Sequence, residues 1–410
     1  MLQFSIITMI EWLSTFLPES APLIAGALGF VLTWFLLPVI IYVSHSKGLV
    51  DKPLGPRKLH LRLTPNLGGL AFYFSLVTIF FLSGYAQQPW TPYFFAGLTV
   101  LMSSGVKDDI SVLSAKTKLF IQIGAVAALI FFGNVYITDL GGVFGFNEIN
   151  HWAGMSLTGF TMIVVINAYN LIDGIDGLAG SVGLIALLFF GGWFWYVGYT
   201  SYAVLALIGV GSLGAFLRYN FQPATIFMGD TGSQVIGYLL AFFAVSFVKI
   251  GVITPVEVPF QNIIPILVLS VLIVPLYDTL RVFILRIFKK SSPFKADRLH
   301  VHHQLLDMGF THRTVCSIIV FLNLSIIGLT LALREFQVNG LLAIVLGVSV
   351  ILFPTMGIKR KIFRKMGMQF PSARHINILK KKYGVQSKSF DDNKVKKESS
   401  SDNDWDQVAV

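Results

Sequence analysis

Apolar runs of about 20 residues, the length a helix needs to cross the ~30 Å hydrocarbon core of a bilayer, recur eleven times along this 410-residue chain. Their centres fall near Thr33, Ser75, Leu98, Val126, Ile163, Leu188, Ile208, Phe242, Leu272, Leu322 and Val348. Lipid offers the backbone no hydrogen-bond partners, so runs of this kind must close their own bonds as helices. The expected fold is an all-α integral membrane protein of about eleven transmembrane helices. Composition supports this: 54% of residues are hydrophobic and 13% charged, against about 25% charged in soluble domains. The first segment contains Glu11 and lacks the basic flank and small-residue cleavage site of a signal peptide, so it reads as a short interfacial lead-in.

A formal charge of +10 in a soluble chain would suggest nucleic acid. Here the loops account for it. Threading the runs alternately from an external N-terminus leaves every Lys and Arg except Lys249 and Arg334 on one face. The positive-inside rule makes that face cytoplasmic. The chain is therefore expected in the plasma (inner) membrane, with no nucleic-acid partner. The single cysteine, Cys316, excludes an internal disulfide framework and a cysteine metal cage. Residues 1–358 read as one polytopic body. Residues 359–410 turn basic and then acidic, and are expected to form a partly disordered cytoplasmic tail. Nothing in the sequence decides between a monomer and a homodimer.

Helix parity brings five motif-rich segments to the same inner face: residues 48–70, 107–118, 167–180, 220–233 and 292–313. Asp108, Asp109, Asp173, Asp176 and Asp230 stand at the ends of apolar runs, where carboxylates are costly unless paired or functional. Each alone is equally well read as a helix cap. Five on one face point to a site. Adjacent carboxylates repel unless a cation lies between them, and oxygen donors without cysteine favour Mg²⁺, with Mn²⁺ as the alternative, over zinc. The HVHH cluster (His300, His302, His303) has the spacing of imidazole metal ligands. It lies among Lys289, Lys290, Lys295 and Arg298, cations that repel a metal and attract phosphate; loop histidines without function are a third reading. Gly174 and Gly177 interrupt the apolar pattern beside carboxylates, which suits close backbone approach to a ligand.

In order and spacing these segments resemble the polyprenyl-phosphate N-acetylhexosamine-1-phosphate transferases. The resemblance rests on the Asp-Asp pair, NAYNLIDGIDGLAG, FMGDTGS and HVHH, and covers about two thirds of the chain. The SPFKADRLHVHH loop followed by MGF is similar to the bacterial undecaprenyl-phosphate N-acetylglucosamine-1-phosphate transferases; the phospho-N-acetylmuramoyl-pentapeptide transferases carry a different histidine loop. One position departs: where some members read D-D-x-x-D, this chain has Val112.

The resemblance implies a UDP-aminosugar donor and a polyprenyl phosphate acceptor, with UMP released. It further implies that Asp230 and Asn170 hold Mg²⁺. Asp108 and Asp109 would handle the lipid phosphate, with Asp108 as the candidate base. Asp173, Asp176, Asn220 and Phe227 would form the uridine pocket. Arg298, His300, His302 and His303 would contact the sugar and its phosphate. Lys52 and Lys116 are weaker candidates for the lipid phosphate, equally readable as ordinary basic loop residues. A transporter is the rival from another class, since intramembrane carboxylates often mark ion paths; transporters, however, place them near the bilayer midplane.

Overall fold

The computed structural model describes residues 18–51, 63–253, 260–290 and 299–353. These residues contain thirteen α-helices. In chain order they are α1 (Ala21–Ser46), α2 (Gly69–Leu82), α3 (Thr91–Ile110), α4 (Ala115–Phe131), α5 (His151–Ile172), α6 (Leu178–Tyr196), α7 (Thr200–Asn220) and α8 (Gly229–Ile253). There follow α9 (Ile264–Val271), α10 (Ile273–Phe288), α11 (Val301–Asp307), α12 (His312–Ala332) and α13 (Val338–Leu352). A two-stranded antiparallel pair, β1 (Val50–Asp51) and β2 (Thr64–Pro65), sets Val50 opposite Pro65. Lys52, Arg298 and the 359–410 tail lie outside the described residues.

Ten of the eleven expected centres fall inside α1 to α8, α12 and α13. Leu272 falls at the break between α9 and α10, where the pair bends by 63°. The architecture is thus all-helical and membrane-like, as the apolar runs require. By length and composition, six helices among the described residues (α1, α5, α6, α7, α8 and α12) suffice to cross a membrane, or seven with the bent pair taken as one span. Of the other expected spans, α2, α3, α4 and α13 do not meet that measure. At 1.5 Å per residue the 14 residues of α2 reach only about 21 Å. The last turn of α3 is charged, with Lys107, Asp108 and Asp109.

Local chemistry fixes several starts. Ser114 accepts from Thr117 N–H at 3.1 Å, Asn150 from Trp152 N–H at 2.9 Å and Thr311 from Thr314 N–H at 3.3 Å. Each satisfies an N–H left open at a helix N-terminus. The helices assemble around α8, which α2, α3, α5, α6 and α9 surround. Its far half packs into an aromatic cluster: Phe242 lies 4.7 Å from both Trp90 and Phe94, and Phe247 4.4 Å from Trp193. Such pairs contribute about 0.5–1.5 kcal/mol each beyond burial. Outward faces stay apolar, with Phe120 79% and Phe288 82% exposed, a surface suited to hydrocarbon and not to water.

Without a hydrophobic force between helices in lipid, close packing of small residues holds them together. Gly211 of α7 shows how closely: a Cβ there would overlap the Gly26 carbonyl of α1. Gly211→Ala is expected to cost ~1–3 kcal/mol, read as a lower melting temperature in detergent. Gly214→Ala is the control. Its Cβ would meet only the Phe30 ring, at 3.6 Å, so its melting temperature should hardly move.

Candidate active site

The described parts of all five segments meet at one end of the bundle. Asn66 donates from Nδ2 to Asp109 Oδ1 at 3.3 Å, and the Phe227 N–H donates to the Pro65 carbonyl at 2.7 Å, so the first loop lies against the second and the fourth. His312 Nδ1 lies 3.4 Å from Asp176 Oδ1, and Arg313 Nε donates to the Gln222 carbonyl at 3.1 Å. His302 packs against Gly174, where a Cβ would overlap its Nε2. These contacts bring the histidine segment to the third and fourth.

At the centre stands Lys118. Its ammonium is 2.6 Å from Asp108 Oδ2 and 3.2 Å from Asp230 Oδ1. Asp108 sits in the last turn of α3, the negative end of that helix's dipole, and is 8% exposed. Its position is unfavourable without a cation. Asp108 Oδ1 also accepts from the Leu113 N–H at 2.6 Å. Asp230, in the first turn of α8, accepts from Asn170 Nδ2 at 2.7 Å, and the same amide reaches Ser233 Oγ.

Asp109, one residue from Asp108, does something else. Its two oxygens accept from the N–H groups of Asp230 and Thr231, both at 2.9 Å, and from Thr231 Oγ1 at 2.6 Å. It is a helix cap, supplied to α8 from another helix. Asp109 therefore fixes the residue next to which the chemistry is expected.

Asp173 follows α5 directly and is half-buried. Withdrawal from water, then the charges of Asp230, Asp109 and Asp176, push its carboxyl up to about 7. Asp176 accepts from the Ala224 N–H at 3.2 Å besides facing His312. Asn220 is 5% exposed and uses both ends of its amide inside the protein: Oδ1 accepts from Gly177 N–H and Nδ2 donates to the Ile226 carbonyl, each at 2.8 Å. Asn220 thus ties the third segment to the fourth. Phe227 lies on the loop just before α8 and is half-buried.

The three histidines form a row. The rings of His300 and His302 stack with centroids 5.7 Å apart, and those of His302 and His303 lie 4.3 Å apart. Burial, then the neighbouring His303, pushes the His302 ring down to about 3. It is neutral at physiological pH and brings a dipole, not a charge. Lys116 is exposed. Lys118, two residues on, points roughly 200° away around the helix and takes the place by the carboxylates. Lys118 and His312 are the residues of this end that sequence reasoning missed. The Ser114 cap was the available signal for Lys118, since it sets the phase of α4.

The pattern that defines glycosyl transferase family 4 matches residues 91–248. The chain is 31% identical over 71% of its length to a Bacillus subtilis protein, covering 78% of that protein, named probable undecaprenyl-phosphate N-acetylglucosaminyl 1-phosphate transferase. This chain belongs to that glycosyl transferase family. A Mycolicibacterium smegmatis protein named decaprenyl-phosphate N-acetylglucosaminephosphotransferase is 30% identical over 80% of this chain and 86% of its own. An Escherichia coli K12 protein named undecaprenyl-phosphate alpha-N-acetylglucosaminyl 1-phosphate transferase is 29% identical over 69% of this chain and 76% of its own. The likeness to the N-acetylhexosamine-1-phosphate transferases that the motifs suggested is thus borne out at the level of the family.

The donor set bears on a metal. Among the described residues no group of three or more His, Cys, Asp or Glu forms a preformed cage. What stands here is an open pair of carboxylates, Asp108 and Asp230, around one ammonium. Hard oxygen donors, few in number and open on one side, fit Mg²⁺, which usually takes one or two carboxylates and completes its shell with water and substrate phosphate.

Proposed function

We propose that this chain transfers N-acetylglucosamine-1-phosphate from UDP-N-acetylglucosamine to undecaprenyl phosphate or a related polyprenyl phosphate, releasing UMP. This is the first membrane step of a cell-envelope polysaccharide. The observation that carries the reading is the meeting of five sequence-distant segments at one end of the bundle, where the second, third and fourth build the Lys118-bridged pair Asp108 and Asp230, in a chain similar over most of its length to proteins named for this reaction. Carboxylates at the ends of α3 and α8 suit an interfacial enzyme better than a midplane transport path.

In the proposed reaction an oxygen of the acceptor phosphate attacks the sugar-bearing phosphorus. A P–O bond forms there, and the bond to the bridging oxygen breaks, its electron pair leaving with UMP. Both reactants are anions, so catalysis is mainly positioning and charge compensation. Bound Mg²⁺, with Mn²⁺ as the alternative, would supply Lewis-acid neutralisation of the diphosphate, held by Asp230 with Asn170 beside it. Lys118 supplies the fixed positive charge, and with Asp108 it receives the acceptor phosphate. Asp109 places Asp230. Asp173, Asp176 and Phe227 face the nucleoside, with Asn220 bracing their loops. The histidine row meets the sugar phosphate.

Eleven spans, an external N-terminus and a cytoplasmic site in the plasma membrane complete the proposal. All five segments then share the face that carries the basic loops. Residues 1–358 are the transferase body and 359–410 a cytoplasmic tail.

Donor profiling tests this. Purified protein in detergent with polyprenyl phosphate is expected to release UMP from UDP-N-acetylglucosamine and to leave the UDP-N-acetylmuramoyl-pentapeptide almost untouched. Preference for the pentapeptide donor would move the chain to the peptidoglycan branch; release from neither would overturn the reading.

A further inference from the structure

A second buried charge network lies on α10, away from the carboxylates just described. Asp278 is 4% exposed and Arg281, one turn on, 6%. Asp278 Oδ1 accepts from Arg281 Nη2 at 2.8 Å and from the Val301 N–H at 3.0 Å, while its Oδ2 lies 2.9 Å from His300 Nδ1. Arg281 Nη2 also donates to the Leu299 carbonyl at 2.6 Å, and Gln304 Nε2 reaches the same oxygen at 2.6 Å. One carboxylate therefore holds the backbone and the side chain of the histidine segment at consecutive residues.

A purely structural clamp would explain the bonds to Leu299 and Val301. It does not require the bond to the ring. A carboxylate against Nδ1 keeps the proton on that nitrogen and fixes the ring plane, so that Nε2 becomes the atom offered outward. His300 Nε2 makes no hydrogen bond among the described residues. The ring is also stacked on His302 at an interplanar angle of 15°, and His302 in turn abuts Gly174 of the third segment. His300 is thus gripped on Nδ1 and on one face, while its Nε2 has no hydrogen-bond partner among the described residues.

We infer that Asp278 is a positioning residue for the transfer reaction. It acts through His300, holding Nε2 toward the diphosphate of the donor, and Arg281 balances its charge and anchors it. The inference rests on the proposed site, in which His300 touches the sugar phosphate. Support of this kind behind a ligating or catalytic imidazole is commonly worth 10–100-fold in activity.

The test is a double-mutant cycle on full-length protein in detergent, scoring UMP release from UDP-N-acetylglucosamine, with melting temperature as the fold control. His300→Ala is expected to lower kcat/KM strongly. Asp278→Asn keeps size and an acceptor oxygen but loses the charge, and is expected to lower kcat/KM by ~10–100-fold. In the His300→Ala background the same change should cost almost nothing more, because its partner is gone. A purely structural Asp278 would cost the same in both backgrounds, and that result overturns the inference. So does an Asp278→Asn protein of undiminished activity. Near-normal activity of His300→Ala would instead remove His300 from the proposed site itself. Where Asp278→Asn does not fold, Asp278→Glu keeps the charge beside Arg281, displaces the carboxylate by one methylene, and must show the same dependence on His300.

Discussion

Asp230→Asn is expected to lower turnover by ~10²-fold or more while the helical fold survives. The carboxylate sits in the first turn of α8, facing Lys118 Nζ at 3.2 Å and Asn170 Nδ2 at 2.7 Å. Asparagine keeps the volume and one oxygen and removes the negative charge. The α8 N-terminus stays capped, because that work is done by Asp109 on the backbone N–H groups of residues 230 and 231. Losing a neutral-range hydrogen bond costs stability of about 1 kcal/mol, whereas losing a charge that compensates a phosphoryl-transfer site acts on the rate. The two effects separate in one preparation: UMP release and its Mg²⁺ dependence report the site, and thermal unfolding in detergent reports the fold. A folded Asp230→Asn protein with near-normal turnover and unchanged Mg²⁺ dependence would show that this carboxylate is dispensable.

The helices were legible because the apolar runs leave the backbone no alternative, and the meeting of the five segments was legible because helix parity brings them to one end. What the sequence hid is what depends on helix phase and on distant pairing. Asp108 and Asp109 look equivalent as letters. Neighbours on a helix, however, point about 100° apart, so one meets Lys118 and the other reaches the N-terminus of α8. The helix-cap reading, an alternative for each carboxylate, describes Asp109 well. Lys116 and Lys118 were separated by the same rule, through the Ser114 start of α4. Asn220 read as a pocket residue, yet its amide is spent between Gly177 and Ile226. Asp278 drew no notice: a lone carboxylate inside an apolar run shows its partner, His300, 22 residues later, only once the chain is folded.

Lys118→Met is expected to reduce turnover by a comparable ~10²-fold, through a different physical route. Methionine keeps the aliphatic stem and removes the ammonium that lies between Asp108 and Asp230. Two carboxylates then face each other, one at the negative end of α3, with no fixed cation to compensate them. The melting temperature should therefore fall in chelator. Removing the ammonium also leaves the pair a stronger trap for a divalent cation, so added Mg²⁺ should restore the melting temperature by binding the folded state. Turnover should stay low. A metal that replaces the lost charge between the carboxylates does not replace the ammonium where the acceptor phosphate arrives. Lys118→Arg should rescue little, since the longer, planar guanidinium spreads its charge over a fork instead of concentrating it where the compact ammonium stands between the two carboxylates. If Mg²⁺ restored turnover together with stability, Lys118 would be a counter-charge only, and the acceptor phosphate would have to find its cation elsewhere.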